Sequence, residues 1–177
     1  MSASLLRAAD DLIVQYAAYH RDRRNILTHF IGIPMIFTAI AVWLVFPLGH
    51  HWGAYGITAA WVAWAVTGFW YLTRGNPLLG VATAVVNAVL VALAHTLAGQ
   101  APAWGLSPWL LGAVLFGVGW VFQFLGHHWE GRKPAFVDDI VGLLVGPMFV
   151  VAEWLMALGL LRDLHQRVQA EAGPTRS

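Results

Sequence analysis

The chain has 177 residues, 59% of them hydrophobic and only 11% charged, with a mean hydropathy of +0.64 and a formal net charge of +1. So little polar surface excludes an ordinary soluble domain of this size, and a near-neutral chain without a basic stripe excludes nucleic acid as a partner. With no cysteine, disulfides, thiolate metal sites and cysteine nucleophiles are excluded too, and any metal must be held by nitrogen and oxygen.

Residues 4–19 carry the spacing of an amphipathic helix. Leu5, Leu6, Ala9, Leu12, Ile13 and Tyr16 share one face, and Arg7, Asp10, Asp11 and Gln15 share the other. Next to so apolar a chain, this pattern predicts a helix lying on a membrane surface. The charges within it argue against a cleavable signal peptide.

Five apolar stretches follow, each near the roughly 20 residues that cross a hydrocarbon core. They are 26–46, with Pro34 inside, 53–72, 78–97, 109–126, and 140–161, with Pro147 and Glu153 inside; residues 165–177 form a polar tail. Backbone groups in lipid must be satisfied internally, so the expected fold is all-α: one polytopic membrane helix bundle over 1–177. Gly142 and Gly146 are spaced for close helix contact. If all five stretches cross, the side holding residues 20–25 receives Arg7, Arg21, Arg23, Arg24, Arg74, Arg132 and Lys133. The other side then receives only Arg162, Arg167 and Arg176. The positive-inside rule makes the first side cytoplasmic. If the fifth stretch re-enters, as Pro147 permits, the C-terminal residues join that side.

Depth sorts the eight histidines. His20, His29, His127 and His128 fall at the cytoplasmic boundary with Glu130, drawn from two remote parts of the chain, and His50 and His51 fall at the opposite boundary. His95 lies roughly 25 Å along its span, and His165 is in the tail. On one straight helix His20 and His29 would face opposite ways, so they converge only if the helix breaks at residues 21–25, with Asn25 available as the N-cap of the next helix. His127 and Glu130 share a helix face, and His128 points about 100° away. Imidazoles with a carboxylate suit iron, zinc or copper, and hydrogen bonding to backbone or lipid headgroups is the plain alternative. Glu153 and His95 lie at matching depth, which predicts a structural hydrogen bond between them. Asp138 and Asp139 fit as helix-opening residues, and Asn87 and Gln123 as ties between helices.

The run Tyr19-His20-Arg21-Asp22-Arg23-Arg24-Asn25-Ile26-Leu27-Thr28-His29-Phe30-Ile31-Gly32-Ile33-Pro34 resembles the first signature of the yeast-type 2-hydroxy fatty acid dioxygenase family. Trp120-Val121-Phe122-Gln123-Phe124-Leu125-Gly126-His127, then Glu130 and Arg132-Lys133-Pro134-Ala135, resembles its second. The likeness covers roughly residues 10–161. It implies an Fe(II)-dependent membrane enzyme of fatty acid α-oxidation, which converts a long-chain 2-hydroxy fatty acid and O₂ to the acid one carbon shorter and CO₂. The family's metal-site histidines map onto His20, His29 and His127. His128 or Glu130 is then a fourth ligand or a catalytic neighbour. Arg24, Arg132 or Lys133 is available to hold the substrate carboxylate, and Asn25 and Asp138 to orient the ligands. The implied partners are the hydroxy acid, O₂ and membrane lipid, with a homo-oligomer left open. The implied place is a membrane, the inner one if the source is bacterial, with the metal at the cytoplasmic face. The rivals are a transporter or channel, which the lack of inverted repeats disfavours; a di-iron hydroxylase, disfavoured because no HxxxH spacing occurs; and a zinc hydrolase.

Overall fold

The computed structural model describes residues 5–46, 57–133 and 141–177. It is all-helical. The helices are α1 (Ala9–Ala17), α2 (Arg23–Trp43), α3 (Ala59–Leu72), α4 (Pro77–Gln100), α5 (Pro108–Glu130), α6 (Gly142–Ala157) and α7 (Arg162–Glu171), with a 3₁₀ turn at Ala101–Trp104. Their boundaries follow local chemistry. Asn76 and Ser107 cap α4 and α5 by accepting the N–H of Leu79 and of Leu110, each with proline in the first turn. Gly131 closes α5 in the left-handed conformation at φ 68°.

Three of these helices are long and apolar enough to cross a membrane: α2, α4 with its 3₁₀ turn, and α5. The second predicted stretch is shorter than expected among the described residues, since α3 has 14 residues. The outward faces are greasy, with Val66, Phe69, Val89, Val121 and Phe124 all more than half exposed. The polar side chains Thr83, Asn87 and Gln123 are buried instead. This inside-out distribution is the one a hydrocarbon surround selects.

α2 and α5 pack most intimately, because glycines recur every seven residues on the facing side of α5. A Cβ on Gly119 would lie 3.0 Å from the Gly32 carbonyl oxygen, one on Gly112 would overlap Trp43, and one on Gly126 would overlap Thr28 and Asn25. Only small residues permit that approach. It brings the last turn of α5 against the first turn of α2.

Three expectations are refined here. First, most of the apolar face predicted for residues 4–19 turns inward: Ala9, Leu12, Ile13 and Tyr16 are buried in one core with α6 and α7, while Leu5 and Leu6 stay exposed. Ala9 N–H bonds the Arg74 carbonyl, and Asn76 donates to Asp10, so α1 docks at the α3–α4 turn. Second, the fifth stretch, left open between crossing and re-entering, falls in a bent helix pair that is either a broken span or a re-entrant loop. Gly142 and Leu143 of α6 lie beside Ile40 and Phe116, and ten residues on Glu153 pairs with Arg21 at the end where α5 stops. Third, the tail is not merely polar. After a 110° bend, α7 buries Leu164 and Val168, and Arg176 then forms an isolated parallel bridge with Asp22. The C-terminal cations therefore sit at the same end as residues 20–25, the arrangement a re-entrant stretch produces.

Candidate metal centre

The break between α1 and α2 builds the site. The chain leaves α1 at Ala17, and Asp22 adopts an extended conformation and caps α2 by accepting the N–H of Arg24. Asn25, predicted as the cap, instead lies inside α2: helix formation begins at Arg23, where Asp22 already satisfies a free N–H. The reversal turns His20 back onto His29, two helical turns along α2. The glycine contact at Gly126 delivers His127 from α5.

The three rings form a buried trio. Centroids are 4.3 Å apart for His20 and His29, 4.9 Å for His20 and His127, and 5.0 Å for His29 and His127. One potential ligand atom from each lies within 4.8 Å of the others. His20 also stacks on Tyr16, at 4.2 Å with an interplanar angle of 7°.

The nitrogens have defined roles. His20 Nδ1 lies 2.7 Å from the Tyr16 carbonyl oxygen, and His29 Nδ1 lies 2.9 Å from that of Asn25. A carbonyl only accepts, so both Nδ1 atoms carry the hydrogen. The two Nε2 atoms are then bare lone pairs, and they face each other at 2.9 Å. A proton between them would put a cation in a fully buried group, and burial, aided by His29 alongside, pushes His20 well below the usual histidine range. A cation shared between the two acceptors would relieve their contact. The donor set, three imidazoles held by backbone carbonyls, fits a transition metal or zinc. His127 Nδ1 is likewise buried with no hydrogen-bond partner among the described residues.

Behind the trio lies a charged knot. One oxygen of Glu130 accepts from the backbone N–H of Arg21 (2.9 Å) and of Asp22 (2.7 Å) and from the Asn25 amide (3.1 Å). Its other oxygen pairs with Arg176. Arg21, itself buried, donates to the carbonyls of Ala17 and Gly173 and pairs with Glu153 at 3.5 Å. Glu130 thus fastens the end of α5 to the ligand-bearing turn, and both its oxygens are engaged away from the rings.

The other predicted residues fall as follows. His128 is exposed, one residue and so about 100° around α5 from His127, and stands outside the trio. Arg24 is clamped on Asp22, which it holds at a pKa of about 2, and its guanidinium also lies over the Trp129 ring. Arg132 donates to the Ala18 carbonyl over the Tyr19 ring, and Lys133 is exposed. Asn25 holds His29 through its carbonyl and meets Glu130 through its amide. Asp138, Asp139, His50 and His51 lie outside the described residues. The predicted Glu153–His95 bond is absent: His95 pairs with Thr58 and the Val91 carbonyl, while Glu153 pairs with Arg21. The matching depths assumed a straight crossing, and α6 does not make one. Arg176 and Tyr16 were not singled out from the sequence; an arginine in a polar tail carries no local sign of its partner.

An apolar cavity of about 250 Å³ lies between α2, α5 and α6 and reaches the trio at His127 alone. His127 and Tyr16 stand in its wall, and Ile36, Ile40, Phe116 and Pro147 line its greasy length. A buried ligand group at the head of a hydrocarbon slot suits a chemistry performed on a long-chain amphiphile.

Helices of this length define a helical, membrane-type protein, with a buried imidazole trio that could hold a metal ion and an apolar cavity at its edge. A family model described as 2-hydroxy-palmitic acid dioxygenase Mpo1-like matches residues 6–158, and the chain belongs to that family. It is 30% identical over 160 residues to 2-hydroxy-palmitic acid dioxygenase MPO1 of Saccharomyces cerevisiae, covering 87% of this chain and 83% of the yeast protein. No solved structure matches it.

Proposed function

We propose that the chain is an Fe(II)-dependent dioxygenase that converts a long-chain 2-hydroxy fatty acid and O₂ to the fatty acid one carbon shorter, CO₂ and water. One observation carries the reading: the bare Nε2 atoms of His20 and His29 face each other at 2.9 Å beside His127, which itself stands in the wall of an apolar slot. Family membership selects the chemistry. Removing the carboxyl carbon as CO₂ and oxidising the hydroxyl-bearing carbon to a carboxyl releases four electrons, the number that reduces O₂, so no further reductant is needed.

His20, His29 and His127 hold the ion, and the ion supplies the redox and Lewis-acid chemistry that brings acid and O₂ together. The residues around it do the positioning. The carbonyls of Tyr16 and Asn25 fix the ring tautomers, Glu130 locks the turn bearing His20 to the helix bearing His127, and the slot takes the acyl chain and keeps water from it. His128, Lys133 and Arg132 belong to the rim, in contact with headgroups. The protein resides in a membrane, where its substrate is concentrated. All ten Lys and Arg residues gather at the end that carries the trio, and that end is the cytoplasmic one.

The test is metal analysis of protein purified without chelators, joined to O₂ uptake with 2-hydroxypalmitic acid. One iron per chain and release of a C15 acid with CO₂ are expected. One zinc and no O₂ uptake would favour a hydrolase, since three imidazoles also suit zinc; two irons would favour a hydroxylase.

A further inference from the structure

The two ends of the slot differ in exposure. At the trio, Tyr16, His127 and Gly146 are all buried. At the far end, Ile40 of α2 and Leu143 of α6 stand in the wall and are nevertheless 42% and 48% exposed. Between these ends the wall is half-buried, as at Ile36 and Trp120. A side chain that borders the slot and also faces outward marks an opening. The opening lies deep. Phe116, at the same end, precedes His127 by about three turns of α5, roughly 16 Å. An extended chain of single bonds advances about 1.2 Å per bond, so about a dozen carbons fill that length. His127 stands in the last turn of a membrane-type helix, and half of a hydrocarbon core is about 15 Å. In the orientation proposed above, Ile40 and Leu143 therefore fall near the bilayer midplane, where the tails of one leaflet end.

We propose that the slot is a tail channel open to lipid between Ile40 and Leu143, so that the substrates include very-long-chain 2-hydroxy acids as well as those of the slot's own length. This rests on the dioxygenase reading for the head of the substrate. The acid keeps the depth it has in its own leaflet, with its carboxyl end at the level of the trio and its tail along α2 and α5. Carbons beyond those that fill the slot pass out at the midplane. Lipid solvates a methylene as well as an apolar wall does, so the emerging carbons neither strengthen nor weaken binding. A blind end would instead force surplus carbons into a packed wall, and overpacking is unfavourable.

The test uses the metal-loaded protein in lipid nanodiscs, with affinities measured anaerobically and referred to the concentration of acid in the lipid. The probes are 2-hydroxylauric acid, which fits inside the slot, and a saturated 2-hydroxy acid roughly twice as long as the slot. Wild type is expected to bind the two within about threefold of each other. Ile40→Trp with Leu143→Trp, which fills the opening, should weaken the long acid by about ten- to a hundredfold and spare the short one. Both positions already face outward, and metal content equal to wild type certifies the fold; if the pair loses metal, Leu143→Trp alone is judged by the same criterion. Val121→Trp, on the outer face of α5, should leave the ratio unchanged. A wild type that binds the long acid about tenfold or more weaker than the short one has a blind end, which overturns the proposal. So does a filled variant with an unchanged ratio, or one that loses both acids equally. A wild type that takes up no O₂ with either acid removes the dioxygenase reading, whereas the long-to-short binding ratio alone decides whether the slot is open.

Discussion

Two histidine environments in this bundle separate a structural histidine from a candidate ligand. His95, on α4, stacks near Trp61 and has both nitrogens answered, Nδ1 by the Val91 carbonyl at 2.9 Å and Nε2 by the Thr58 hydroxyl at 3.0 Å. His20 and His29 have only their outer nitrogens answered by the protein; the inner pair confront each other. A helix readily satisfies one imidazole nitrogen with the carbonyl four residues back, as Val91, Tyr16 and Asn25 all do. The second nitrogen distinguishes them: closed by a hydroxyl it is a packing element, and left facing another lone pair it is free to hold an ion.

The contrast can be broken by substitution. His127→Ala is expected to abolish metal retention and O₂ uptake while the protein still inserts and stays helical, as metal analysis and circular dichroism would report; retained metal would return the trio to the His95 class. Gly126→Val comes next. Its side chain must displace Thr28 or Asn25, prising α5 from α2, at a cost of about 1–3 kcal/mol in thermal or denaturant unfolding and with loss of metal from a centre whose rings no longer converge. Arg176→Ala is smaller, because its guanidinium is more than half exposed and its pair with Glu130 is partly screened. About 1 kcal/mol of stability and about tenfold in metal affinity are expected, read by metal titration against a competing chelator. Smallest is His95→Ala, which gives up one hydroxyl partner, costs about 1 kcal/mol and leaves metal content at the wild-type level.

How much of this was legible in the sequence depends on the range of the signal. His20, His29 and His127 could be grouped because each sits at the boundary between polar and apolar sequence, and the polar run 21–25 announced the helix break. Within that run the cap was misplaced by three residues: Asp22 and Asn25 are both good capping types, and only the contact between Asn25 and Glu130 shows that Asn25 belongs inside. The Glu153–His95 pairing failed because depth was counted along a helix assumed to cross. The glycines at 112, 119 and 126 stood in plain view at a constant spacing, but spacing alone does not say which neighbour presses against them. Arg176 gave no signal, since its partner lies 46 residues away on another helix. Gln123 was visible as a polar residue in a span; its unsatisfied amide became apparent only with α2 packed against it at Gly32.

The knot at Glu130 also sets a timetable. It unites segments separated by 109 and by 46 positions, and Arg21 reaches 152 positions along the chain to Gly173. Contacts of such long sequence separation close late. A nascent chain whose first two membrane-type helices are already made therefore owns two of the three imidazoles but not the pocket that holds them in register. The three-imidazole cluster is therefore completed only after α5 has joined the first turn of α2 and residues 173 and 176 have closed over Arg21 and Glu130.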